Sequence, residues 1–480
     1  MFNAIFGGDW LCPRFIFVLT HMRLSAVVLC SFGTSYDSMD EAKQARQEIL
    51  LKEAKDMYGE NCVTPYSMSL PDGVDGVLKD LSSVGNPLIV GGAVRDSFDG
   101  YPSKDVDIEV HGASMDDIVS HLQSNGYQVD EVGRQFGVLK VSKGQLRDLD
   151  VSVPRRENRT GAGHRSFSVE MDEAMTVDEA AARRDFTFNT VMYDHSYGVL
   201  VDPTGGYSDY RNKTMRAVSE KFAEDPLRVL RGFQFAARFG MSYDKSTADM
   251  CRSIRGEYND LSVERVREEF NKFYTKGSDY SAGVKALQDS GWDDIEPGLR
   301  ESLQKQTTVD SLNRMKDAGV SAQKRSVIGS AVILKGMDNS KDRQNFAGVS
   351  TVSQDDARRA VTLAELSSDD MDSDYFIRKT AIVLAKRKTS FRDVRLLART
   401  CDDKDMLKAA NRAIRLGVGD KPTEDLVRGD DILNMTDRKP GRWFGRVLSE
   451  VREAQYKDQV TTRQQALDLT RELVSKQEHE

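Results

Sequence analysis

Apolar and polar positions along this chain follow two different rhythms. Between residues 86 and about 215, short runs recur that are β-branched or alternate with period two: LIV (88–90), DVDIEV (105–110), FGVLKV (136–141), LDVSV (149–153) and GVLVD (198–202). They have strand length and are interleaved with helical stretches, so this part predicts a mixed α/β unit. After about residue 216 the period is helical almost throughout, with capping signals in SVERVREEF (262–270) and TRQQALDLTREL (462–473). Ahead of both, residues 40–59 read as a charged helix and SLPDG (69–73) as a linker. The expected fold class is α+β: a head with a mixed β-sheet (85–215), then an all-helical neck (216–280), body (281–420) and tail (421–480). Residues 1–84 are expected to form an N-terminal extension to which the sequence assigns no role.

At 480 residues the chain is too long for one ordinary core, which agrees with several domains. The net charge of −8 argues against nucleic-acid binding over the whole surface and confines it to local basic patches. The five cysteines are widely spaced and form no Cys-x-x-Cys pair, so neither a disulfide framework nor a zinc site is indicated, and a reducing cytoplasm is expected. The apolar N-terminal stretch is interrupted by His21 and Arg23, so no membrane span is read there, and Met22 offers an alternative start.

The chemistry begins where LIV ends. Gly91 and Gly92 allow close approach of a ligand to the backbone, and the short helix read over AVRDSF (93–98) would turn free N–H groups toward phosphate. Arg95, one turn on, adds a planar fork of donors. In the next run Asp105, Asp107 and Glu109 share one strand face while Val106, Ile108 and Val110 pack on the other. Two carboxylates so placed can hold Mg²⁺ ions that activate a hydroxyl and neutralise a pyrophosphate leaving group. Taken singly, a Gly-Gly turn or an Asp-x-Asp strand is common in α/β proteins; the combination is specific.

This stretch, LIVGGAVRDSFDGYPSKDVDIEV, resembles the signature of the class II tRNA nucleotidyltransferases and bacterial poly(A) polymerases, and further motifs follow in the same order. AARRDFTFNTVMYD (181–194) resembles a motif that contacts the sugar and phosphates of the incoming nucleotide, which implies that role for Arg184 and Asp185. A turn at Gly205-Gly206 closes the head. In FAEDPLRVLRGFQFAARFG (222–240) the resemblance implies that Asp225 and Arg228 copy a Watson–Crick edge, with Arg231 near the nucleotide. Read by itself, Asp225 is a helix cap ahead of Pro226 at the first helical position. Where many relatives have a further arginine, this chain has Gln234. The resemblance also implies a third acidic residue near the metals, assigned to Asp150 with Asp148 as the competing choice. A flexible basic loop is implied over Arg155, Arg156, Arg159 and Arg165. The C-terminal stretch, with its Lys-Pro-Gly turn, resembles the tail of bacterial CCA-adding enzymes.

The resemblance implies a nucleotidyltransferase that adds CCA, or part of it, to tRNA 3′ ends from CTP and ATP. Asp105 and Asp107 would bind Mg²⁺ and act with Asp150 in catalysis, while Gly92 and Arg95 would hold the triphosphate. Lys439 and Arg442, with Arg438 and Arg446, would meet tRNA phosphates, as could the basic stretch 377–400. Poly(A) tailing of other RNA and a catalytically inactive RNA-binding protein are the alternatives. Because no histidine falls between His195 and His479, a His-Asp phosphohydrolase domain is not expected.

Overall fold

The computed structural model describes residues 39–102, 105–159 and 167–478. The chain divides into two compact units that meet in sequence at Asp225 and Pro226.

In the first unit the strands of the main sheet and of a small ribbon are β1 (Val63–Pro65), β2 (Asn86–Val90), β3 (Asp107–His111), β4 (Gln128–Asp130), β5 (Val138–Lys143), β6 (Leu146–Ser152), β7 (Arg155–Arg159), β8 (Phe167–Met171), β9 (Met192–Asp194) and β10 (Val199–Val201). Eight of them form one mixed sheet in the order β1-β10-β9-β2-β3-β6-β5-β4, in which β3 and β6 run parallel. The expected mixed-sheet head is therefore present. Its helices are α1 (Met39–Tyr58), α2 (Val74–Leu81), α3 (Gly92–Ser97), α4 (Met115–Ser124), α5 (Val177–Ala182) and α6 (Gly206–Arg211).

The two faces of β2 illustrate why the sheet folds as it does. Leu88 and Val90 join Ala54 of α1 and Ala180 and Ala181 of α5 in one buried cluster, while Ile89, pointing the other way, is also fully buried. Val90 pairs with Asp107 and Leu88 with Glu109, so these acids stand on the same sheet face as Leu88 and Val90. One face thus changes from core to charged surface between neighbouring strands.

Two boundaries differ from expectation. Residues 39–84 are part of the head: β1 pairs with β10, and Leu51 and Tyr58 pack on the cluster beneath the sheet. Tyr58 Oη donates to Asp194 Oδ2 at 2.7 Å and accepts from Asn86 Nδ2 at 2.6 Å, tying α1 to β9 and β2. The SLPDG passage is no linker, since Met68 beside it is buried and Gly73 packs against Leu146. At the other end the head continues past 215 to Asp225. Phe186 bridges to Ala217, Val218 N donates to Asp185 O, and Ser219 Oγ donates to Ala182 O. The expected basic loop is also corrected: β7 and β8 form a two-stranded antiparallel ribbon, with Arg155 opposite Met171. Arg165 lies outside the described residues.

The second unit is helical. Its first helix, α7 (Leu227–Phe239), buries Leu230 and Phe233 against α8 (Val263–Lys276), where Phe233 stacks on Phe273 with ring centroids 4.1 Å apart. Helix α9 (Tyr280–Asp289) closes on both at Gly283, where a Cβ would stand 2.8 Å from Ala237 and from the Phe273 ring. The assigned N-cap of α7 is Pro226, so the helix starts one residue later than expected and Asp225 is not its cap. Near the C-terminus, α10 (Asp374–Lys386) precedes α11 (Arg442–Tyr456) and α12 (Arg463–Glu478). Trp443, Val447 and Val451 of α11 share an apolar cluster with Ala466 and Val474 of α12. Tyr375 Oη of α10 donates to Glu453 Oε2 of α11 at 2.5 Å. Among the described residues no helix is long and apolar enough to cross a membrane.

Candidate active site

The site is built on the edge of β3. Asp105, Val106, Asp107, Ile108, Glu109 and Val110 alternate between outward and buried positions, as the sequence pattern implies, although regular strand pairing begins only at Asp107. Asp107 lies in register with Asp150 of β6, a parallel neighbour, so the two carboxylates share a face. This register favours Asp150 over Asp148, which falls in a left-handed backbone conformation with φ 51°. Lys140 of β5, paired in turn with Asp150, bonds it through Nζ at 2.7 Å.

Burial, then Asp150, then Asp105 push the Asp107 carboxyl above its ordinary range, against the pull of Arg184 and Lys140. Carboxylates gathered in this way fit a cation. Among the described residues no group of three or more His, Cys, Asp or Glu side chains makes a ready-made metal cage. A pair of carboxylates suits Mg²⁺, which usually takes one or two from protein and completes its octahedron with water and substrate phosphate. The residues present therefore fit the ion.

The Gly-Gly turn sits beside this pair. Gly91 adopts φ 75° and ψ −138°, a region closed to other residues, and a Cβ on it would stand 3.5 Å from Asp107 Oδ2. A Cβ on Gly92 would stand 3.4 Å from Arg95 NH2, so the guanidinium folds back over the turn. At six residues α3 is too short to contribute much dipole, and the donors here come from the turn and from Arg95. Arg95 is buried, with 7% exposed, and its NH1 donates to Asn189 Oδ1 at 2.7 Å. Asp99 accepts from Tyr210 Oη at 2.6 Å, anchoring the end of α3 to α6, and Asp96 accepts from Arg95 NH2 at 3.4 Å.

Arg184 reaches the same face from the segment after α5. Its NH2 lies 3.7 Å from Glu109 Oε2, and its NH1 donates to Asn189 O at 3.2 Å. Burial would raise the Glu109 carboxyl, but the His111 hydrogen bond at 2.9 Å, with Arg184 and Arg155, outweighs it and leaves Glu109 below its ordinary range. Asp185 is buried, and its Oδ1 accepts from Phe186 N at 2.7 Å and from Asn189 Nδ2 at 2.9 Å. Motif reading passes over Asn189, an amide within the buried run 185–194.

The remaining expected residues lie later in the chain. Asp225 ends the first unit, Arg228 and Arg231 are carried half-buried on α7, and Gln234 is buried in the core of the helical unit. Arg438, Lys439, Arg442 and Arg446 are all exposed, and Arg438 lies over the Trp443 ring at 5.2 Å. In the basic stretch 377–400, Arg378 pairs with Asp458, Lys379 with Glu453, Lys388 with Asp355 and Arg392 with Asp420.

This sheet, with a Gly-Gly turn after β2 and acids in register on β3 and β6, has the make-up of a nucleotidyltransferase head, and residues 88–216 match the poly A polymerase head domain. The chain therefore carries that domain. The "Multifunctional CCA protein" of Xylella fastidiosa (strain M23) is 39% identical over 192 residues, 39% of this chain and 44% of that protein. This chain thus spans less than half the length of that relative. The CCA-adding enzyme of Bacillus stearothermophilus in complex with CTP matches with a TM-score of 0.63 at 19% identity, covering 84% of this chain and 98% of that one. The Thermotoga maritima CCA-adding enzyme complexed with tRNA matches with a TM-score of 0.51 at 13% identity, covering 82% and 91%. The chain has the fold of these enzymes.

Proposed function

We propose that the protein is a template-independent nucleotidyltransferase that adds CCA, or part of it, to tRNA 3′ ends from CTP and ATP, releasing pyrophosphate. The observation that carries this reading is the in-register pair Asp107 and Asp150 beside the Gly91-Gly92 turn and Arg95. The names of the matching relatives support it. Asp105 and Asp107 would hold Mg²⁺, with Asp150 at their side, and the ion when bound lowers the pKa of the attacking hydroxyl and neutralises the leaving group. The chain's own groups position the nucleotide: Gly92 admits the triphosphate to the backbone, Arg95 binds its oxygens, and Arg184 is directed at the sugar. Asp225 and Arg228, three residues apart in sequence, carry the choice of C and A through a carboxylate acceptor and a guanidinium donor. Lys439 and Arg442 bind tRNA phosphates, and such a substrate puts the work in the cytoplasm.

The test supplies tRNA lacking CCA, and separately a generic oligonucleotide, with CTP and ATP given singly and together. Addition confined to tRNA and ending after the CCA triplet is the expected result. The match to a poly A polymerase head favours a second reading, tailing of other RNA, and long A tracts on the oligonucleotide would decide for it.

A further inference from the structure

We infer that Asn189 is a positioning residue that aligns Arg95 and Arg184 together; the inference rests on the nucleotide-site reading above. Asn189 is buried, with 7% exposed. Its Oδ1 accepts from Arg95 NH1 at 2.7 Å, its Nδ2 donates to Asp185 Oδ1 at 2.9 Å, and its carbonyl accepts from Arg184 NH1 at 3.2 Å. One residue thus touches both arginines of the site.

The chemistry allows only one direction for this relay. A guanidinium has no acceptor and an ionised carboxylate has no donor, so the amide must turn its oxygen to Arg95 and its nitrogen to Asp185. Asp185 is itself fixed, because the same Oδ1 accepts from Phe186 N at 2.7 Å. The Asn189 backbone is held in a 3-10 turn, with its N–H bonded to Phe186 O at 2.9 Å. In a poorly solvated setting such a chain polarises each link, and the buried carboxylate strengthens the amide's hold on the guanidinium. Arg95 held from behind in this way keeps NH2 over Gly92, where the triphosphate is assigned. Loss of Asn189 frees the Arg95 fork to rotate out of that line.

The experiment is a double-variant cycle on the full chain, reading KM for CTP and kcat separately. Asn189→Ala is expected to raise KM for CTP and lower kcat/KM by up to about 100-fold, the scale of a small misplacement in a site. In an Arg95→Ala background the same change is expected to add little, since Asn189 acts through Arg95. Additive losses overturn the positioning role alone. An unchanged KM for CTP in Arg95→Ala overturns it together with the phosphate reading of the turn. Asn189→Leu, of similar shape and without polar atoms, is the second variant should Asn189→Ala fail to fold. Either variant, folded by its thermal midpoint and with an unchanged KM for CTP, overturns the inference.

Discussion

Asp107 and Asp150 stand opposite one another in register on parallel strands, on the sheet face that one strand earlier is lined by Leu88 and Val90. The Asp107 position belongs to the sheet rather than to a loop, so it is held with strand precision. Asp107→Asn is expected to lower nucleotide incorporation by at least about 100- to 1,000-fold, the scale on which a positioned charge acts in a transition state. Asp105→Ala is expected to do the same while tRNA binding stays measurable. Single-turnover incorporation with a parallel filter-binding assay checks both, and appreciable activity in either variant would contradict the metal assignment.

Gly206 has no room for a side chain. A Cβ there would lie 2.0 Å from Thr187 O, inside the segment that carries Asn189. Gly206→Ala is expected to cost about 1–3 kcal/mol through the forced shift. Thermal unfolding of the purified protein would show it as a lowered Tm.

Tyr58 tests whether α1 belongs to the head. Asp194 is fully buried and receives the Tyr58 hydroxyl, so Tyr58→Phe removes a donor from a buried acid. The expected loss is about 1–3 kcal/mol, the cost of an unmet buried group. Urea denaturation followed by hydrogen exchange in β9 and β2 measures it; an unchanged midpoint would mean α1 is dispensable to the sheet.

The C-terminal cluster is expected to be acid-sensitive. Asp431 accepts from Arg428 N at 2.8 Å and pairs with Arg463 at 2.6 Å, and these hold its carboxyl below the usual range despite partial burial. A lowered folded pKa contributes stability above the ordinary value of 3.8 that is lost as pH falls through the folded value. Hydrogen exchange of α11 should therefore speed up below about pH 4. Asp431→Asn should show faster exchange at neutral pH and little further change on acidification.

Lys439 and Arg442 are exposed beside the Lys-Pro-Gly turn. Their joint replacement by alanine is expected to weaken tRNA binding evenly across sequences. The slope of log K against log salt should become shallower by roughly 0.7 to 0.9 for each phosphate that is no longer neutralised. Binding measured over a salt series would separate this from a folding defect, which lowers the bound fraction and leaves the slope as it was.

Much of the site could be read from local pattern. Period-two alternation around Asp107 and the glycine pair before Arg95 are imposed by backbone geometry, and short windows of sequence carry them. What could not be read depends on distant partners. β1 is three residues ending in Pro65, and only its pairing with β10 makes it part of the sheet. The ribbon of β7 and β8 is likewise a cross-strand fact, hidden in a basic segment that reads as loop. Asn189 is invisible to a local reading because its role comes from Arg95, 94 positions earlier in the chain. Asp185 keeps its place in the motif, and its bond to Asn189, four residues on, becomes visible only in the fold.

The sheet face that passes from Leu88 and Val90 to Glu109 and Asp107 makes correct assembly its own proof. A slip of β3 by one residue would drive its acids into the opposite layer and turn Ile108 and Val110 out to water. A misregistered molecule would therefore be greasy as well as inert, and open to removal by aggregation or proteolysis before it could bind RNA unproductively. Solubility and competence are selected in one act of strand pairing.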